Sequence, residues 1–155
     1  MKRLAVFAAT LGPIGSSPIA PATGASFVVA LVGWFLPVPP LPAAIGGILL
    51  LFAVGVWFCN EGEKVLGHDA KPIVFDELVG QCLALLLVPH HPLAFFGAFV
   101  LFRIFDVWKP LGAHQAQSLP GGLGIMMDDV IAGLTACGTF HLLRWGAARA
   151  GFAPF

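Results

Sequence analysis

The chain has 155 residues, of which 58% are hydrophobic and only 10% are charged, and its mean hydropathy is +0.91. This composition excludes a disordered protein and argues against an ordinary soluble domain, and the length fits one membrane-embedded domain, residues 1–155. Eight basic and eight acidic residues give zero net charge, which makes nucleic acid a poor partner. The three cysteines lie in apolar stretches, without the Cys and His spacing of a zinc site.

The pattern of apolar runs, glycines and prolines predicts six helical segments. In chain order we predict a short helix at 4–11, a Gly/Pro/Ser-rich loop at 12–24, helix A at 24–36, a proline turn at 37–42, helix B at 43–59, a polar loop at 60–75, helix C from 76 to just before 89, a proline turn at 89–92, helix D at 93–108, a Gly/Pro-rich loop at 109–127 and helix E at 128–145. The first segment also has the pattern of the start of a signal peptide. Because its apolar run is short, we expect an interfacial or buried helix there instead.

These segments predict an all-α fold, an integral membrane bundle of about five apolar helices plus the short N-terminal helix. A helix that crosses the hydrocarbon core needs about 20 apolar residues. Helices B and E approach that length, whereas helices A, C and D are shorter and are expected to span only partly or to extend through their flanking turns.

The order of the segments predicts which loops share a side of the membrane. If A–B and C–D are antiparallel hairpins, both proline turns lie on one side and the charged loops lie on the other. The charged side then carries most of the basic residues, namely Lys2, Arg3, Lys64, Lys71, Arg103 and Lys109, and the other side keeps Arg144 and Arg149. The positive-inside rule makes the charged side cytoplasmic.

Two pairs of acids are predicted to open helices on that side. Asp76 and Glu77 begin helix C, and Asp128 and Asp129 begin helix E. Acids in a first helical turn are favoured by the helix dipole, so plain capping is the simplest interpretation of one pair. Four carboxylates packed together repel unless a cation lies among them, and Mg²⁺ prefers such oxygen ligands. We therefore expect a magnesium site.

A second charged cluster consists of Arg103, Asp106 and Lys109, spaced three residues apart on one face of helix D. It could be an ion network within the helix, or a clamp for phosphate, since Arg offers a bidentate fork and Lys a point charge. The run Gly121-Gly122-Leu123-Gly124 predicts a flexible backbone that could bind an anion. Acids for Mg²⁺ and bases for phosphate at a membrane edge indicate a phospholipid phosphate, attacked by water or by a carboxylate.

Four stretches of the chain carry a resemblance to a known family. They are residues 17–23 (SPIAPAT), 73–80 (IVFDELVG), 102–110 (FRIFDVWKP) and 121–133 (GGLGIMMDDVIAG). In this order they resemble phosphatidylglycerophosphatase A. The resemblance implies Mg²⁺-dependent hydrolysis of the terminal phosphate of phosphatidylglycerophosphate, giving phosphatidylglycerol, at the cytoplasmic face of the bacterial inner membrane. No oligomeric state follows from it.

The resemblance also implies residue roles. The catalytic candidates are Asp76, Glu77, Asp106, Asp128 and Asp129, of which all but Asp106 are expected to bind the metal. The substrate-binding candidates are Arg103, Lys109, Lys71 and Thr23. Asp69 matches the family pattern loosely, and Ser26 is available beside Thr23.

Three other functions have different sequence requirements. A small transporter or channel with an acidic ion site, the main alternative, predicts charges in the middle of helices, whereas these lie at helix ends. A CDP-alcohol phosphotransferase needs an Asp-x-x-Asp-Gly-x-x-Ala-Arg signature, and a histidine-based lipid phosphatase needs a Ser-Gly-His motif; neither occurs in the chain. His68 and His114 are predicted on the polar side, where a minor acid–base role stays open.

Overall fold

The computed structural model describes residues 2–67 and 70–152, and in this part of the chain it contains seven α-helices and no strands. His68 and Asp69 lie outside the described residues. The helices are α1 (Lys2–Ala9), α2 (Pro21–Phe35), α3 (Leu41–Leu66), α4 (Phe75–Ala84), α5 (Pro92–Trp108), α6 (Ala113–Ala116) and α7 (Gly122–Arg149). The all-α prediction is confirmed, whereas the count of about five apolar helices is not.

The two proline turns lie at the same end of the bundle, as predicted. The ring of His90, in the turn between α4 and α5, stacks on Trp34 near the end of α2, with the ring centroids 4.2 Å apart. Its Nε2 atom also lies 2.8 Å from the carbonyl oxygen of Trp34. The charged loops consequently gather at the opposite end, which we call the polar end.

Helix α3 is longer than predicted, because residues 60–66 are helical instead of forming part of a polar loop. This extra stretch packs against α1: a Cβ atom on Gly62 would lie 3.0 Å from the Cβ of Ala9. A helix partner therefore covers one side of the segment, while its polar residues remain on the other. The loop was predicted from these polar residues, because the sequence pattern gives no sign of the packing against α1.

Helix α7 begins at Gly122, six residues before the predicted start, so the expectation that Asp128 and Asp129 open the helix is wrong. The glycine run is also not a flexible loop. Gly122 lies so close to α3 that an added Cβ would be 2.1 Å from the carbonyl oxygen of Val56. Gly121, with φ of 62°, turns the chain into the helix. The glycines thus permit close helix packing, and both acids lie in the second turn of α7.

Close packing of α4 against α7 also depends on glycine. Added Cβ atoms on Gly80 and Gly133 would lie 2.9 Å from the carbonyl oxygen of Asp129 and 2.4 Å from the carbonyl oxygen of Gly80, respectively. Helix α4 ends at Ala84, earlier than predicted, and the chain turns through Leu87 with a positive φ of 60°. The acids in the first turn of α4 and in the second turn of α7 are thereby held close together.

Two helices, α3 and α7, are long and apolar enough to cross a membrane by length and composition. The two helices differ in how much of their own surface is covered by the rest of the bundle. In the most apolar stretch of α7 half of the residues are buried, whereas in that of α3 only 6% are. Helix α3 therefore presents a long apolar surface that no other described part of the chain covers.

Candidate active site

A cavity of about 450 Å³ opens at the polar end. It lies between the start of α2, the segment 70–73, the first turn of α4, the last turn of α5 and the N-terminal part of α7. Its charged lining consists of Lys71, Asp76, Glu77, Asp106, Lys109, Asp128 and Asp129. The structure therefore brings together residues from four separate stretches of the chain. All five acids predicted for the site line this one cavity.

The wall of the cavity is fixed by packing of the N-terminal segment. The backbone N–H of Val74 donates a 3.0 Å hydrogen bond to the carbonyl oxygen of Ala9 at the end of α1. Gly15 lies against the same segment, since an added Cβ would be 2.1 Å from the carbonyl oxygen of Pro72. These contacts hold residues 70–74 in place, directly before the two acids in the first turn of α4.

Arg103 lies behind the acids and does not line the cavity. One terminal nitrogen of its guanidinium donates to Glu77, and the other lies 3.0 Å from an oxygen of Asp106. Its side chain is only 16% exposed. Because both arms of the fork are occupied by carboxylates, Arg103 fixes the relative positions of two acids that belong to different helices.

Lys109 forms the second ion pair of the site. Its Nζ atom lies 2.6 Å from Oδ2 of Asp128. Lys109 caps α5 in the left-handed conformation, with φ of 49°, which is costly for a residue with a side chain and often marks functional positions. Burial would lower the pKa of Lys109, but the hydrogen bond and charge of Asp128 outweigh it and raise the pKa, so the ammonium stays charged.

Three carboxylates, those of Glu77, Asp106 and Asp129, are arranged as a metal site would require. Each offers an oxygen, and the three oxygens lie within 4.8 Å of one another. Asp129 is almost fully buried, and its Oδ2 atom has no hydrogen-bond partner in the described structure. Buried carboxylate oxygens without a partner are costly, and a hard cation with oxygen ligands would satisfy them. The residues present therefore fit a divalent cation.

The electrostatics of the first turn of α4 agree with this fit. Burial raises the pKa of Asp76 well above its usual range, and the neighbouring charges of Glu77 and Asp128 raise it further. Burial also raises the pKa of Glu77, although the positive charge of Arg103 opposes the shift. With no cation present, the folded protein therefore tends to keep protons on these acids.

The remaining sequence candidates differ in position. Lys71 is exposed and lines the cavity, whereas Thr23 is exposed on the first turn of α2 and is not part of the lining. Ser26, one turn further along α2, is fully buried and donates a 2.7 Å hydrogen bond to Glu77. The sequence offered Ser26 only as a polar residue near Thr23. Its contact with Glu77 joins residues 51 positions apart, and the local sequence around Ser26 gives no sign of it.

Comparison with known proteins gives an independent indication of function. The family model for phosphatidylglycerophosphatase A matches residues 7–144. A protein of Bacteroides thetaiotaomicron with the provisional name phosphatidylinositol-3-phosphatase is 36% identical over 139 residues, covering 84% of this chain and 87% of the relative. No solved structure matches the chain significantly.

Two further relatives are named phosphatidylglycerophosphatase A. The Escherichia coli K12 protein is 34% identical over 134 residues, covering 83% of this chain and 77% of the relative. The Haemophilus influenzae protein is 38% identical over 90 residues, covering 56% and 55%. The family match includes every acidic residue that lines the cavity, and the chain therefore belongs to the phosphatidylglycerophosphatase A family of phosphatases.

Proposed function

We propose that the acidic cavity hydrolyses the terminal phosphate monoester of phosphatidylglycerophosphate in a Mg²⁺-dependent reaction. The observation that carries the proposal is the cluster of Glu77, Asp106 and Asp129, whose oxygens converge beside the ammonium group of Lys109 in one cavity. Water adds to phosphorus, the bond from phosphorus to the terminal glycerol oxygen breaks, and phosphatidylglycerol and inorganic phosphate are formed.

The three clustered acids would hold Mg²⁺, which when bound neutralises phosphate charge and orients the phosphoryl group. Lys109 and Lys71, which line the cavity, would bind the phosphate oxygens. Arg103 acts on the acids rather than on the substrate, because its fork already holds two carboxylates.

Asp76 would accept the proton of the attacking water. It lines the cavity but is not one of the three clustered acids, and its Oδ1 atom accepts the backbone N–H of Glu77 at 3.0 Å. That hydrogen bond orients the carboxylate and leaves its other oxygen to accept a proton. Direct attack on phosphorus by the same carboxylate is the alternative, and a trapped phosphoenzyme would support it.

We further propose that the protein spans the inner membrane with the cavity at the cytoplasmic face. Helix α3 supports the membrane assignment, because apolar surface of this length is unfavourable in water. The basic residues near the polar end support the orientation. Here Asp128 and Asp129, in the second turn of α7, would lie at the headgroup layer.

The activity is tested with purified protein and phosphatidylglycerophosphate, by measuring phosphate release across a Mg²⁺ titration. We expect EDTA to abolish turnover, and activity retained in EDTA would refute the metal assignment. Asp129→Asn should lower kcat about 100-fold or more, since it removes a metal ligand. The matched control is Glu61→Gln, because Glu61 pairs with Lys64 on α3 and does not line the cavity.

Substrate choice is tested in the same assay by replacing the lipid. Phosphatidylinositol 3-phosphate is the appropriate competitor, given the name of the Bacteroides relative. We expect a higher kcat/KM for phosphatidylglycerophosphate. The reverse order would assign this chain a different phospholipid headgroup while leaving the phosphatase chemistry intact.

The orientation is tested by labelling two introduced cysteines with a membrane-impermeant maleimide. Lys64→Cys lies near the polar end, and Val38→Cys lies in the exposed turn at the opposite end, where Val38 is 67% exposed. In spheroplasts we expect labelling of the Val38→Cys protein, and labelling of the Lys64→Cys protein only after permeabilisation. The opposite pattern would place the cavity outside the cell.

A further inference from the structure

A second cavity, of about 490 Å³, forms a groove between α2, the N-terminal half of α3 and the end of α4. None of the residues that line it is charged. Val29 and Gly33 contribute from α2, Gly47 and Leu51 from α3, and Cys82 from α4. The groove exists because α3 approaches the rest of the bundle closely at Gly55, next to Phe75, but diverges from α2 and α4 nearer its N-terminus.

The groove follows two of the helices that line the acidic cavity, α2 and α4. Helices α2 and α4 run parallel, since Ser26 contacts Glu77 and Gly33 faces Leu85. On α2 the acidic cavity ends at Ala22 and the groove begins at Val29, a rise of about 10 Å at 1.5 Å per residue. The groove then continues along α2 for about another 10 Å, away from the polar end.

We propose that this groove binds one acyl chain of the phospholipid whose terminal phosphate occupies the acidic cavity. The inference rests on the proposed function. In phosphatidylglycerophosphate a glycerol, a phosphodiester and the backbone glycerol separate the terminal phosphate from the acyl chains. An acyl chain must therefore enter the protein some distance from the phosphate and extend along the bundle away from the polar end. The groove runs in that direction, from Val29 to the proline turn that contains Val38.

The lining also suits a hydrocarbon chain better than a second headgroup. A headgroup would need a cationic or hydrogen-bonding partner, and the groove offers only apolar side chains, glycines, prolines and the thiol of Cys82. The groove lies along α2 and α4, as the phosphate cavity does, and begins about 10 Å further from the polar end. This alignment favours the substrate over an unrelated lipid. Chain length would then be sensed by how far the groove is filled.

Two neighbouring glycines on α3 provide a matched pair of variants. An added Cβ at Gly46 or at Gly47 meets no atom within 4 Å, so both positions accept a side chain without steric conflict. Only Gly47 lines the groove. Gly47→Phe should therefore fill the groove, and Gly46→Phe should add the same ring to the same helix outside it.

Native mass spectrometry of the detergent-purified full-length protein counts the phospholipids that remain bound, independently of activity. We expect the wild-type and Gly46→Phe proteins to retain one phospholipid, and Gly47→Phe to retain at least about tenfold less. Equal retention by the two variants would overturn the inference. A wild-type dimer that becomes a monomer only in Gly47→Phe would also overturn it, because a second copy of the chain would then fill the groove.

Kinetics with two lengths of phosphatidylglycerophosphate provide the second arm. For the dioleoyl substrate Gly47→Phe should raise KM about tenfold over Gly46→Phe, whereas for the dihexanoyl substrate the two variants should agree. Normal hydrolysis with identical chain-length dependence in both variants would refute the groove and leave the proposed function standing. No hydrolysis by the wild-type protein, together with loss of lipid only in Gly47→Phe, would refute the proposed function and leave acyl-chain binding standing.

Discussion

The distance between α4 and α7 should control catalysis, because Glu77 and Asp129 reach the cavity from these two helices. Gly133 lies where α7 touches α4, and the Cβ of an alanine there would be 2.4 Å from the carbonyl oxygen of Gly80. Ordinary contact begins at 3.4 Å, so Gly133→Ala must separate the helices locally by about 1 Å. A displacement of about 1 Å in a catalytic site can cost about 100-fold in rate.

We therefore expect Gly133→Ala to lower kcat/KM for phosphate release about 100-fold and the free energy of unfolding by about 1–3 kcal/mol, the usual cost of overpacking. Gly138→Ala is the control on the same helix, since an added Cβ there meets no atom within 4 Å. It should keep full activity and gain up to about 1 kcal/mol from the better helix propensity of alanine. A Gly133→Ala protein that is destabilised but fully active would refute the idea that this spacing sets the site.

Three further predictions concern the side chains around the acids. Ser26→Ala removes the hydroxyl that donates to Glu77, and it should lower kcat about tenfold and the free energy of unfolding by about 1–3 kcal/mol. Thr23→Ala, at an exposed position outside the cavity, should change neither quantity. A larger effect of Thr23→Ala than of Ser26→Ala would contradict the structure. Arg103→Lys replaces the two separate nitrogens that hold Glu77 and Asp106 with a single ammonium group, so the two acids are held less rigidly and kcat should fall with little change in KM. A rise in KM at constant kcat would indicate phosphate binding instead. The pKa values of Asp76 and Glu77 are raised in the folded protein, so without metal the folded protein binds more protons than the unfolded chain. Its free energy of unfolding in EDTA should therefore fall as the pH rises from about 4 through the raised pKa values. Mg²⁺ should restore that stability at neutral pH. A free energy of unfolding in EDTA that rises over this pH range would show that the pKa values of these acids are not raised.

Much of the local structure followed from the sequence. Apolar runs bounded by proline and glycine predicted the existence and order of the main helices, and the start and end of α5 were predicted within one residue. Two of the boundaries that failed, the end of α3 and the start of α7, are those where a helix continues into polar or glycine-rich sequence. In both α3 and α7 the extra turns are stabilised by another helix, at Gly62 and at Gly122, and a local pattern contains no information about such a partner.

The composition of the site was likewise predictable, because few charged residues occur in so apolar a chain and each requires a reason to be there. The division of labour among those residues was not. The sequence left Arg103, Asp106 and Lys109 as either an ion network within the helix or a phosphate clamp. The structure gives both arms of Arg103 to carboxylates and leaves Lys109 at the cavity. It also grouped the acids by adjacency, as two pairs, although the three that converge come from three different helices.

The sequence by itself determined which chemical groups this protein has and at which end of the bundle they collect, because hydropathy fixes where charge can be placed cheaply. Only the tertiary structure decided which carboxylates converge and which of them pair with Arg103 or Lys109. Those choices depend on helix separations of an ångström or less, set by glycine contacts between segments that lie 50 or more residues apart, as at Gly80 and Gly133.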